Sequence, residues 1–203
     1  LAFLKLGDYR RGWEGYEVRK RVRSNFVPRV FSHPEWQGQE LAGKTVLVYG
    51  EQGLGDEIMF ASCLPDLIAR AGRCVIDCSP KLEKLFRRSF AGAAVHGAPQ
   101  TDRDTSWLSG VSPIDYQVAI GSLPLQFRGS AADFPQHSGY LTAAPVRVEY
   151  WEKRLEALGP GLKVGISWAG GMLSTRRRLR STALSDWLPI FRTAGCRFVS
   201  LQY

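Results

Sequence analysis

A carboxylate that follows a buried strand and opens a helix can take a proton from a bound hydroxyl group. Asp56 stands at such a position, closing the run Gly50–Glu51–Gln52–Gly53–Leu54–Gly55–Asp56. Glycines in such a run let backbone approach a ligand, and the free N–H groups of a helix start suit an anion. Gln52, Gly53 and Gly55 are therefore candidate substrate-binding positions, with Asp56 as candidate catalytic base. A second reading stands beside this one, because Asp is also a common helix cap. The run departs from the dinucleotide fingerprint: Gly53 and Gly55 match, but Ile58 occupies the third glycine position. Asp77, near the end of the next strand, is only a loose match to a ribose-binding acid.

A second segment with chemical potential is Ser174–Ser181, which carries arginines at 176, 177, 178 and 180. Guanidinium groups clamp phosphate oxygens bidentately. With Trp168 at the end of the preceding strand, Gly170 and Gly171 in the turn, and Ser181 after it, Arg178 and Arg180 make a candidate diphosphate site. The alternative is a solvated charged loop. The four cysteines (Cys63, Cys74, Cys78, Cys196) and three histidines (His33, His96, His137) show no metal-ligand spacing, so neither a metal nor a resident cofactor is expected.

The elements that must position these residues follow from hydrophobic period. Phe3, Leu4 and Leu6 precede a Gly7–Asp8 turn, and Tyr9, Trp13, Tyr16 and Lys20 follow at helical spacing. Asp8 is placed to cap that second helix. The run GDYRRGWEGYEVRKR resembles the second helix of a tetratricopeptide repeat, with Gly12 where alanine is usual; an ordinary amphipathic hairpin is the alternative. Residues 24–44 read as an irregular linker. Thr45–Gly50 is a strand apolar enough for burial on both faces. A helical pattern runs from Ile58 to Ile68, and strands at 74–78, 93–96 and 116–120 alternate with a helix at Pro80–Phe90. Such alternation predicts an α/β, Rossmann-like parallel sheet with helices on both faces. Beyond a loop-rich stretch and a helix at 148–158, a strand at 163–168, a helix at 184–194 and a strand at 197–202 form one further βαβ unit. The expected organisation is a helical tail at 1–23, a linker at 24–44, a first domain at 45–160 and an incomplete second Rossmann-like domain at 161–203.

The chain has 203 residues and a net charge of +8. Residues 1–30 hold eight Lys/Arg against three acids, 31–162 twelve against fifteen, and 163–203 seven against one. A nucleic-acid binder would show one continuous basic face with interleaved aromatics; two separate basic ends point to local work, such as phosphate binding or a protein contact. No apolar run approaches the roughly 18 residues of a membrane span, and the opening residues lack a secretory signal. A reduced, cytoplasmic protein is expected. The sequence opens without Met, which suggests a piece of a longer chain.

Taken together, GDYRRGWEGYEVR, PEWQGQELAGKTVLVYGEQGLGDEIMFASCLPDL, LKVGISWAGG, RRRLRSTALSDWLPIF and FVSLQ resemble bacterial tetratricopeptide-repeat proteins with a heptosyltransferase-like module, glycosyltransferase family 9. The resemblance implies the N-terminal half of a GT-B fold, no essential metal, and inverting transfer from a nucleotide-sugar to a hydroxyl of a glycan, lipid or protein. It puts Asp56 at the general base. It puts Arg180 and Ser181 on the donor diphosphate. Where heptosyltransferases carry Lys ahead of Trp-Pro, this chain has Arg180–Ser181–Thr182–Ala183, which leaves the donor open. A fragment of this kind is expected to be inactive alone. The alternative is a non-catalytic interaction module that docks a protein partner through its repeat-like helices.

Overall fold

The computed structural model describes residues 1–22, 29, 31–111, 113–136, 138–170, 179 and 181–202. They fall into two compact units, Leu1–Thr142 and Ala143–Tyr203. The helix expected at the end of the first domain thus groups with the second unit, and the N-terminal helices group with the sheet that follows them.

The first unit opens on α1 (Ala2–Lys5) and α2 (Tyr9–Tyr16), followed by a 3-10 turn over Glu17–Arg21. Asp8 caps α2, its carboxylate accepting the Arg11 backbone N–H at 3.2 Å. Gly12 is buried against α1. A Cβ there would meet the Leu4 side chain at 2.3 Å, so the missing methyl is what lets the two helices close. The hairpin is anchored to the sheet domain by the Trp13 indole N–H, which donates to the Arg128 carbonyl at 2.9 Å, and by the Tyr9 ring, tilted against Phe134 at 5.0 Å.

The sheet comprises β1 (Thr45–Tyr49), β2 (Arg73–Cys78), β3 (Ala93–Gly97) and β4 (Tyr116–Ala119), all parallel, in the order β3-β2-β1-β4. Strand β1 is buried along its whole length, as its unbroken TVLVY run requires. The helices are α3 (Leu54–Phe60), α4 (Leu64–Arg70), α5 (Pro80–Ser89) and α6 (Leu123–Phe127). The continuous helix read from Ile58 to Ile68 is two helices, because Pro65 cannot continue one and starts the next. Val46, Val48, Cys74, Ile76, Val95 and Val118 form one core with Phe60, Leu64, Leu67, Leu82, Phe86 and Leu123 from these helices.

Helices were expected on both faces. On the face carrying Tyr49, Asp77 and His96, the described contacts instead come from Phe31, 5.6 Å from the Tyr49 ring, from Arg29, and from Trp107 in the turn Ser106–Gly110. Residues 99–105, polar apart from Pro99 and with aspartates at 102 and 104, connect the elements there, a composition that favours turns over a helix. On the outer side of β4, residues 34–36 run alongside: Trp36 N–H donates to the Gln117 carbonyl and Gln117 N–H to the Pro34 carbonyl, each at 2.8 Å.

The second unit holds α7 (Pro145–Glu156), β5 (Leu162–Ile166), α8 (Leu188–Phe191) and β6 (Cys196–Ser200), with β5 and β6 parallel. The helix expected over 184–194 is a 3-10 turn at Leu184–Trp187 followed by the short α8, again divided by a proline, Pro189. Among the described residues, no helix is long and apolar enough to cross a membrane.

Candidate functional site

The strand order reverses at β1, whose neighbours β2 and β4 continue the sheet in opposite directions. In open α/β sheets ligands bind outside the carboxyl ends of the strands at this switch point. Three carboxyl groups lie buried near that edge, two beyond the strand ends and one on β2 itself.

In the β1/β4 gap, the fully buried Glu51 receives Arg19. The guanidinium reaches it from the turn after α2, with Nη2 to Oε1 at 2.7 Å and Nε to both oxygens at 3.1 and 3.2 Å. The Gly121 N–H donates to the same Glu51 Oε1 at 3.1 Å, and Arg19 also reaches Ser122 Oγ and Glu17. In the β1/β2 gap lies Glu57, equally buried. It accepts the Ser79 N–H at 2.9 Å and the Gln100 side-chain amide at 3.0 Å. On the face of β2, Asp77 is paired with Arg29, whose guanidinium also donates to the carbonyls of Pro99 and Asp102. Asp77 is thus buried and paired with Arg29 through one carboxylate oxygen.

Gly50 belongs to the same architecture. A Cβ at this position would stand 2.6 Å from the Glu57 carboxyl carbon, which cannot retreat without leaving Ser79 and Gln100. Gly50→Ala should therefore destabilise the protein by about 1–3 kcal/mol, the usual range for overpacking. A thermal midpoint unchanged from the parent would show that the carboxylate yields freely.

Glu57 also confers a pH dependence of known sign. Burial pushes its carboxyl above the ordinary value of 4.5, against the pull of the Ser79 and Gln100 N–H groups. The folded protein thus holds this proton more tightly than the unfolded chain. Its contribution is complete below about pH 4.5 and is lost as pH rises through the folded-state value. Glu57→Gln, neutral throughout, should gain stability relative to the parent as pH climbs from there toward neutrality. Parallel urea midpoints for the two proteins would refute this.

Above these buried groups lies the loop that carries the candidate base. Gln52 accepts the Tyr16 hydroxyl at 3.0 Å through Oε1, and its carbonyl accepts the Gln100 amide. Gly53 and Gly55 are exposed. Asp56, in the first turn of α3, is half-buried and accepts the Gly53 N–H at 3.1 Å through Oδ2. Asp56 satisfies the helix start, as the capping reading expects, and it does so with one oxygen. Gln52, Gly53, Gly55 and Asp56 are thus brought together on one loop and helix start. Glu51, Glu57, Arg19, Tyr16 and Gln100 were missed. The available signal was two further carboxylates flanking Asp56 in a run that follows a fully apolar strand.

In the second unit, Trp168, Gly170 and Ser181 also come together. The Gly170 N–H donates to Ser181 Oγ at 3.4 Å, and the Thr182 N–H to the Trp168 carbonyl at 2.9 Å. An open cleft of about 270 Å³ is lined there by Ser167, Trp168, Ala169, Gly170, Thr182 and Trp187. Gly171, Arg178 and Arg180 lie outside the described residues. Cys63, Cys74 and Cys78 are buried in the first unit, and burial pushes the Cys74 thiol up to about 12, which leaves it unreactive.

Fold and edge together define a Rossmann-like α/β protein with buried carboxyl groups lining its switch point. The sequence matches no family model and no solved structure. Over 98% of its length it is similar to Protein FlbA of Caulobacter vibrioides, at 36% identity. It spans about a third of that protein, 35% of its length.

Proposed function

We propose that this chain carries the acceptor-side domain and the opening part of the donor-side domain of a GT-B glycosyltransferase of the heptosyltransferase-like kind. The helices Ala2–Arg21 are its tetratricopeptide-like segment, and its setting is the cytoplasm. The observation that carries this reading is Asp56: a half-buried carboxylate at the switch point, oriented through a single oxygen by the Gly53 N–H. In the proposed reaction Asp56 removes the proton from an acceptor hydroxyl. The freed oxygen lone pair attacks the anomeric carbon of a nucleotide-sugar from the face opposite the diphosphate. The bond from that carbon to the diphosphate oxygen breaks, inverting the centre, and the charge left on the diphosphate is met by Arg178, Arg180, Ser181 and the Gly170–Gly171 backbone. Such fixed donors act on charge as it develops. Gln52, Gly53 and Gly55 line the acceptor's approach.

The competing reading, a non-catalytic interaction module, draws on the same bond, since Asp56 also closes the start of α3. The two separate in one assay. Full-length protein is incubated with a panel of nucleotide-sugars and an acceptor extract, and release of nucleoside diphosphate is followed. Acceptor-dependent release supports the transferase; none across the panel leaves the interaction module.

A further inference from the structure

Asp56 sits within a stretch whose neighbours are held from the N-terminal helices. Arg19 fixes Glu51 through three hydrogen bonds. Tyr16 fixes Gln52 through its hydroxyl and also packs its ring, tilted, against Phe60, the last residue of α3, at 5.7 Å. Tyr16 therefore touches the chain both before and after the helix turn that presents Asp56. Trp13 meets both rings edge-on, at 5.9 Å from Tyr16 and 6.3 Å from Phe60. Burial pushes the phenol further above its ordinary value, so it remains a donor to Gln52. On the far side of the loop, Gln100 holds the Gln52 carbonyl and Glu57.

We infer that Tyr16 is a positioning residue for Asp56, acting through Gln52, and that the N-terminal helical hairpin is a wall of the site rather than an appendage to it. Its catalytic meaning rests on the transferase reading; its hold on the loop does not.

Arg19 is too deeply embedded to test this cleanly, whereas Tyr16→Phe keeps the ring contacts and removes one O–H. Hydrogen–deuterium exchange of the amides at 51–56 should accelerate about fivefold, equivalent to the ~1 kcal/mol of one neutral hydrogen bond. Exchange in β1, Thr45–Tyr49, should not change. Gln52→Ala should produce the same local acceleration, and the double variant no more than either single. In the transferase assay Tyr16→Phe should lower kcat several-fold at constant donor KM. Acceleration spread equally over β1 would reduce Tyr16 to a packing residue and overturn the inference, as would an unchanged loop. If the parent protein shows no transfer at all, the transferase reading fails while the exchange result still decides the role of Tyr16.

Discussion

Arg19→Ala is expected to remove about 3–5 kcal/mol of folding stability, the largest structural effect of any single substitution at the site. The reason is the carboxylate it would leave behind. Glu51 is fully buried, and without the guanidinium it would keep only the Gly121 N–H as a named partner. A buried charge stripped of its counter-ion carries its desolvation penalty uncompensated. The loss should appear as a lower urea midpoint, because removing a side chain hardly alters the surface exposed on unfolding. Replacing both partners by apolar residues of similar size, Arg19→Met with Glu51→Leu, should recover most of the loss. A cost below about 1 kcal/mol for the single variant would place the pair among exposed ion pairs and contradict the burial described above.

Asp56→Asn should reduce turnover of the full-length enzyme by 10²–10⁴-fold, the usual contribution of a positioned general base. The substitution is close to isosteric, and the asparagine carbonyl can still accept the Gly53 N–H, so α3 keeps its start. Donor affinity, measured by calorimetry with a nucleotide-sugar, should stay within about twofold, because in the proposed mechanism the donor contacts lie on other residues. Loss of turnover without loss of fold or donor binding assigns the proton transfer to Asp56. Turnover within threefold of the parent would return Asp56 to capping alone.

The strands were legible in the sequence because a parallel strand buried on both faces leaves an unmistakable apolar run, as at Thr45–Tyr49. The caps and breaks were legible where a single residue dictates geometry: Asp8 begins α2 as its type suggests. The divisions at Pro65 and Pro189 follow the same rule, although hydrophobic period alone carries through them. What could not be read was the burial of Glu51 and Glu57. Glutamate is almost never fully buried unless paired, and the partners that permit it lie far along the chain, Arg19 before the sheet and Gln100 after β3. Gly12 appeared as a departure from a repeat pattern, and only the contact with Leu4 explains it. Asp56 stood out as a candidate because its chemistry and its local position coincide within seven residues.

The strip of chain at 34–36 has a consequence for how this domain behaves among its own copies. A terminal strand in a sheet offers a row of unused N–H and C=O groups to any extended segment that meets it. Here the outer side of β4 is already occupied on both sides of Gln117, and Pro34, which has no N–H to give, ends the added ladder. The irregular segment ahead of β1 thus acts as a guard against strand exchange and aggregation. Were this strip displaced, the Gln117 N–H and carbonyl would stand open to any such segment.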